Sequence, residues 1–141
     1  MPNHCTNEVY ISFKDQEATK KFLEFVKGKD EQGEEVPFTF NAIVPLPNGK
    51  WDYDWCCNDW GTKWECYPTS YGDEPVDMDD VDVDDKYVRF EFLTAWAPPE
   101  PILKKINEKF GDKISYCRWF YRDEADMFCG YLDVDVGINN E

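Results

Sequence analysis

Tyr87-Val-Arg-Phe-Glu-Phe92 places Val88, Phe90 and Phe92 on one side of an extended chain and Tyr87, Arg89 and Glu91 on the other. That is the period-two pattern of a strand with one buried face. Beyond Pro98, Pro99 and Pro101 the period changes. Ile102, Leu103, Ile106 and Phe110 fall on one helical stripe, and Gly111 stands at its C-terminal end. Ile114 to Tyr121 returns to aromatic and β-branched residues. With a turn region over Arg122 to Asp126 and a second run from Met127 to Val136, it reads as a hairpin.

The N-terminal part opens in the same way. Between Glu8 and Phe13, Val9, Ile11 and Phe13 alternate with polar residues; Asp15 then offers an N-cap. Ala18, Phe22, Phe25 and Val26 recur at helical spacing, with Lys20, Lys21, Glu24 and Lys27 on the other face and Gly28 closing the helix. Lys29 to Glu35 is polar and reads as a solvated loop. Val36 to Leu46, broken by Pro37 and Pro45 and followed by Pro47, reads as an extended segment lying along the domain, because proline lacks the ladder donor. Asn48-Gly49 makes a turn. The order predicts an α+β sandwich with the helices on one sheet face and a core containing Val9, Ile11, Phe22, Phe25, Phe90, Phe92, Leu103 and Ile106.

Trp51 to Trp64 (WDYDWCCNDWGTKW) holds four tryptophans and two adjacent cysteines. It reads as an irregular segment at the centre of the fold, packed against Thr94-Ala95-Trp96 and Pro98-Pro99, with Gly61 allowing a turn that a side chain would crowd. Lys63, between Trp60 and Trp64, can offer a cation to a small anionic ligand in a pocket made with Trp96. Against that reading, its stem simply packs on indole and the tryptophans are core.

A chain of 141 residues fits one domain, here 1–141, with the Trp-rich insertion at about 45–66. Aromatics are 17% of it, so much of the core should be Trp, Phe and Tyr. Thirty acidic against 15 basic residues give a net charge of −15. Such a chain repels free nucleic acid and anionic lipid surfaces and attracts basic protein surfaces. No window approaches the apolar length of a membrane span, and the N-terminus carries no signal-like pattern, so a cytoplasmic protein is expected. Its six cysteines are then expected to be reduced thiols.

The opening Met-Pro-Asn-x-Cys-x-Asn, the segment Asn58-Asp59-Trp60-Gly61-Thr62-Lys63-Trp64 and Thr94-Ala95-Trp96-Ala97-Pro98-Pro99 resemble the YubB-like, ferredoxin-like domain family found on phages, plasmids and other mobile elements. The resemblance spans nearly the whole chain. It implies a ferredoxin-like antiparallel sheet with two helices on one face, the Trp-rich segment inserted after the first helix, no cofactor, and the cytoplasm of a bacterial host. No catalytic residues carry over. His4 stands where the family often has an aromatic residue, and the acidic stretch from Asp73 to Asp85 is this chain's own addition.

His4, Cys5, Cys56, Cys57 and Cys66 invite a zinc reading, but they contain no C-x2-C or H-x3-H pair. The acidic run lacks the central Gly and terminal Glu of an EF-hand loop. No nucleophile lies in a recognisable catalytic motif, so a non-enzyme is expected. The run itself comprises Asp73, Glu74, Asp77, Asp79, Asp80, Asp82, Asp84 and Asp85 and forms a loop or an edge strand. Along a strand, Asp80, Asp82 and Asp84 would present carboxylates roughly 6.5 Å apart, close to the phosphate spacing of a nucleic-acid strand. The leading expectation is therefore an inhibitor that occupies the basic nucleic-acid-binding surface of a host protein, such as a defence or CRISPR effector, and binds no nucleic acid directly. The alternative is a small anionic or nucleotide-like ligand held by Trp60, Lys63, Trp64 and Trp96.

Overall fold

The computed structural model describes residues 4–29, 33–67, 81–123 and 128–132, with only the backbone of Val81 and Asp82. Strand β1 (His4–Phe13) leads into helix α1 (Gln16–Val26), then a two-stranded ribbon of β2 (Gly28–Lys29) and β3 (Glu35–Val36). Short helices α2 (Phe40–Ile43) and α3 (Tyr53–Asp59) follow. Next come β4 (Val81–Val83), β5 (Tyr87–Ala95), α4 (Glu100–Phe110), β6 (Ile114–Asp123) and β7 (Cys129–Tyr131).

The main sheet has the order β4-β5-β1-β6-β7, with every neighbour antiparallel. β1 and β4 are linked through α1 with β5 between them; β5 and β6 are linked through α4 with β1 between them. Two such split crossovers interleaved make the fold ferredoxin-like, with β7 added at one edge. β1 is longer than its apolar alternation foretold because Cys5 and Asn7 continue the buried phase of Val9, Ile11 and Phe13.

The buried face is aromatic. Phe22 of α1 meets Phe13, Phe90 and Phe110 at centroid distances of 5.1, 6.0 and 5.5 Å. Phe38 lies 4.7 Å from Phe90 and 5.2 Å from Phe92, and Phe92 meets Trp119 edge-on at 5.9 Å. α1 begins as expected, with the Asp15 carboxylate accepting from the Ala18 N–H at 2.8 Å. Of the expected core residues only Phe25 is half-buried; it covers Phe110 from the rim.

Several expectations need correction. The Val36–Leu46 segment is not simply extended: Thr39 caps a helical turn, Phe40–Ile43, that buries Phe40 and Ile43. The Trp-rich stretch is not irregular, since Asp52 caps α3 by accepting from the Trp55 N–H at 3.1 Å. Nor is it the centre of the fold. Trp60 is buried, but Trp51 is 54% exposed and Trp96 40%; the tryptophan at the middle of the sheet is Trp119. Gly28 does not close α1 through a left-handed turn. It enters β2, where a Cβ would come within 2.6 Å of the Thr39 methyl. In the last run β7 spans only Cys129–Tyr131, and residues from 133 onward lie outside those described.

Candidate functional site

Three regions carry the chemistry. The first is the aromatic cluster at the C-terminal end of β5. Gly61, at φ +80°, follows α3, and a Cβ there would lie 2.7 Å from Pro101 Cδ and 3.4 Å from Pro98 O. The Trp-rich stretch and the Thr94–Pro99 stretch are thus in direct contact, as their composition led one to expect. Trp96 sits at φ +73°, with the Ala97 N–H bonded to Ala95 O at 3.0 Å, a strained γ-turn for a bulky residue. The Lys63 ammonium lies 4.8 Å from the Trp64 ring and 5.3 Å from the Trp96 ring. Trp60 stands apart from them: its indole N–H donates to Val44 O at 2.8 Å, and its ring packs on Phe40 and Trp55 inside the core.

Next to this cluster Glu65 acts as a remote helix cap. Its carboxylate accepts from Thr39 Oγ1 at 2.6 Å, from the Phe40 N–H, and from the Asn41 N–H at 3.0 Å, at the positive end of α2. Burial pushes its carboxyl above the usual range, and these hydrogen bonds oppose the shift. Cys66 beside it is pushed well up by burial and by the Glu65 charge, which is the reverse of a reactive thiol. His4 is engaged with the Tyr67 hydroxyl. Among the described residues no three His, Cys, Asp or Glu side chains gather into a metal-binding set.

The second region is the acidic edge. Asp82 lies in β4 opposite Arg89, and Asp84 and Asp85 are exposed in the turn to β5, where the Asp84 N–H bonds to Tyr87 O at 2.9 Å. Asp85 accepts from Gln16 Nε2 at 3.4 Å. Asp73, Glu74, Asp77, Asp79 and Asp80 lie outside the described residues.

The third region was missed from the sequence. The sheet face turned away from the helices is built of cross-strand rows: Tyr87, Ser12 and Tyr116; then Arg89, Tyr10 and Arg118; then Glu91, Glu8, Phe120 and Tyr131; then Leu93, Thr6, Arg122 and Cys129. Tyr10 stacks on Tyr87 at 5.4 Å and meets Tyr116 at 5.9 Å, with the Arg118 guanidinium 5.9 Å from its ring. Phe120 packs on Tyr131 at 5.3 Å. The chain has three arginines, and all three are exposed on this face. The signal was legible: Arg89, Arg118 and Arg122 are out of phase with the buried Val88, Phe90 and Trp119, so strand alternation alone puts them on the open side.

The family described as a ferredoxin-like domain in Api92-like protein matches residues 76–139, a stretch that contains β4, β5, α4, β6 and β7. No curated protein and no solved structure was found to match the chain. Among the described residues no helix is long and apolar enough to cross a membrane.

Proposed function

We propose that this chain works by binding rather than by catalysis. In this reading it is a cytoplasmic protein of a phage or other mobile element, of the YubB-like kind, that docks its acidic edge on the basic nucleic-acid-binding surface of a host protein and inhibits it. The observation that supports this is the placement of β4. The acidic run ends on an edge strand of the sheet, with Asp82 in the ladder and Asp84 and Asp85 exposed at the turn, so part of it is held on a rigid element. A net charge of −15 favours fast, salt-sensitive association with a basic partner.

The test is a pull-down from bacterial lysate at low and high salt, comparing the wild type with a variant in which Asp80, Asp82, Asp84 and Asp85 are all changed to Asn. The expected result is a basic partner captured at low salt by the wild type alone. The same partner held by both proteins at both salt levels would refute mimicry.

A second reading, a small anionic ligand, draws its support from the Lys63 ammonium poised over Trp64 and Trp96. It retains those three residues and drops Trp60. Native mass spectrometry of protein taken directly from lysate decides it: a bound mass lost in Lys63→Ala is its expected signature.

A further inference from the structure

From the open face of the sheet we infer a binding platform for single-stranded nucleic acid, centred on Tyr10, Tyr116 and Phe120 with Arg89, Arg118 and Arg122. It departs from the expectation, drawn from the net charge of −15, that the chain binds no nucleic acid directly, and it stands on residues other than those of the acidic edge.

The first argument is charge placement. All three arginines of the chain lie on strands, and because the other sheet face is core, alternation brings their guanidiniums together on the open one. Arg89 and Arg118 flank Tyr10 in the same cross-strand row. Among the described residues the ion pairs are made by Lys21 and Lys27, and no arginine is consumed in one. Asp82 stands opposite Arg89 at the end of this row, and Glu8 and Glu91 occupy the next, so three acidic residues offset the three arginines and the rings carry most of the argument.

The second argument is spacing. Along β6 the residues of this face read Tyr116, Arg118, Phe120, Arg122: aromatic, cation, aromatic, cation. Alternate residues on one strand are about 6.5 Å apart, near the separation of successive phosphates in an extended strand. Planar rings offer stacking surfaces to bases, and guanidiniums between them reach phosphate oxygens bidentately. Tyr116 is 51% exposed and Tyr131 63%, so large ring surfaces are already presented to solvent.

The third argument concerns strandedness. A duplex keeps its bases stacked inside and presents mainly phosphate, so it would meet the net negative charge without gaining from the rings. A single strand can splay its bases onto the aromatics, which is where the free energy of such platforms resides. Repulsion from carboxylates elsewhere on the chain is screened over about 8 Å at physiological ionic strength, whereas Glu8, Glu91 and Asp82 stand within the platform's own rows and oppose binding directly. With at most three phosphates neutralised, affinity should fall with salt by a log–log slope no steeper than about −2.

The experiment uses the full chain and fluorescence anisotropy with labelled RNA and DNA single strands of about twelve nucleotides, within the span such platforms cover, alongside the matching duplexes. Single strands are expected to bind at least about tenfold more tightly than duplex. Tyr116→Ala and Phe120→Ala should each weaken binding by about tenfold, consistent with the loss of one stacked base. Arg118→Ala should reduce both affinity and the salt slope. Glu8→Gln with Glu91→Gln should tighten binding several-fold, an effect that mere unfolding cannot produce. All these positions except Phe120 are exposed or lie at the rim of the face, and an unchanged melting curve verifies each variant. The inference is overturned if no single strand binds at low salt. It is also overturned if binding survives the β6 variants, or if the face proves instead to hold a second copy of the chain, seen as a dimer in sedimentation that Tyr116→Ala dissociates.

Discussion

Trp119 donates its indole N–H to Asn7 Oδ1 at 2.9 Å, tying β6 to β1 inside the core. Asn7 in turn donates to Thr94 Oγ1 at 3.0 Å and to Cys5 O at 3.2 Å, and Thr94 passes the chain on to Ala97 O at 2.7 Å. Asn7, Thr94 and Trp119 are fully buried, so a polar chain crosses three adjacent strands with its partners satisfied. Asn7→Leu, although more apolar and similar in size, orphans the indole N–H. It should lower stability by about 2 kcal/mol in urea titration. A double-mutant cycle with Trp119→Phe should return a coupling of about 1 kcal/mol.

Stability should also depend on pH through Glu65. Its carboxyl is raised by burial in the folded chain. Between the ordinary carboxylate pKa and the raised value, the folded state therefore binds more protons than the unfolded state, and stability falls as pH rises through that window. Glu65→Gln cannot ionise and retains a carbonyl acceptor for the α2 N–H groups. Urea midpoints measured from about pH 4 to about pH 7 should show the variant gaining on the wild type as pH rises. Parallel curves would refute this role.

The two left-handed glycines flanking the Trp-rich helix separate conformational strain from crowding. At Gly49 (φ +70°) an added Cβ would meet nothing within 4 Å, whereas at Gly61 (φ +80°) the added carbon lies 2.7 Å from Pro101 Cδ. Gly49→Ala should cost about 1 kcal/mol, the backbone term alone. Gly61→Ala should cost at least about 2 kcal/mol more, because steric overlap with α4 adds to it. Thermal melts of the pair provide the comparison.

Thiol chemistry should follow burial. Cys5 is pushed up to about 11 and Cys117 to about 12, both chiefly by desolvation, while Cys129 is exposed. A disulfide reagent at about pH 8, just below the ordinary thiol pKa, should label Cys129 within the first phase on the folded chain. Cys5 and Cys66 should react only at the unfolding rate. Elemental analysis of the same preparation checks the expectation of metal-free thiols, which stoichiometric zinc would overturn.

The strands and long helices were legible because their patterns are local. Alternation fixed the phase of β1 and β5, and the stripes of Phe22 and Ile106 announced α1 and α4. The short helices were not, because their causes lie far away in the chain. α2 is held by the carboxylate of Glu65, and the apolar residues around it alternate with prolines that read as extended chain. In α3 the density of aromatics hid a single clear cue, the Asp52 cap. Trp density itself misled, since Trp51 of the dense stretch faces solvent, while Trp119, isolated in sequence, is fully buried under the sheet. The open face was legible in principle but required reading the polar phase of the strands with the same attention as the apolar one.

β1 lies between β5 and β6, with Val9 opposite Phe90 on one side and Trp119 on the other. The first strand in the chain can thus be paired only by segments that come long after it. Closing loops of that span exacts a large entropic toll before any ladder bond forms, and topologies with such distant contacts fold on slow timescales. Helices α1 and α4 and the local pairs β4–β5 and β6–β7 are able to form early, but the two central ladders of the sheet are absent until β1 meets β5 and β6. The rate-limiting event in folding should therefore be the capture of β1 by the β5–α4–β6 unit, and mutations in that register should slow folding more than they speed unfolding.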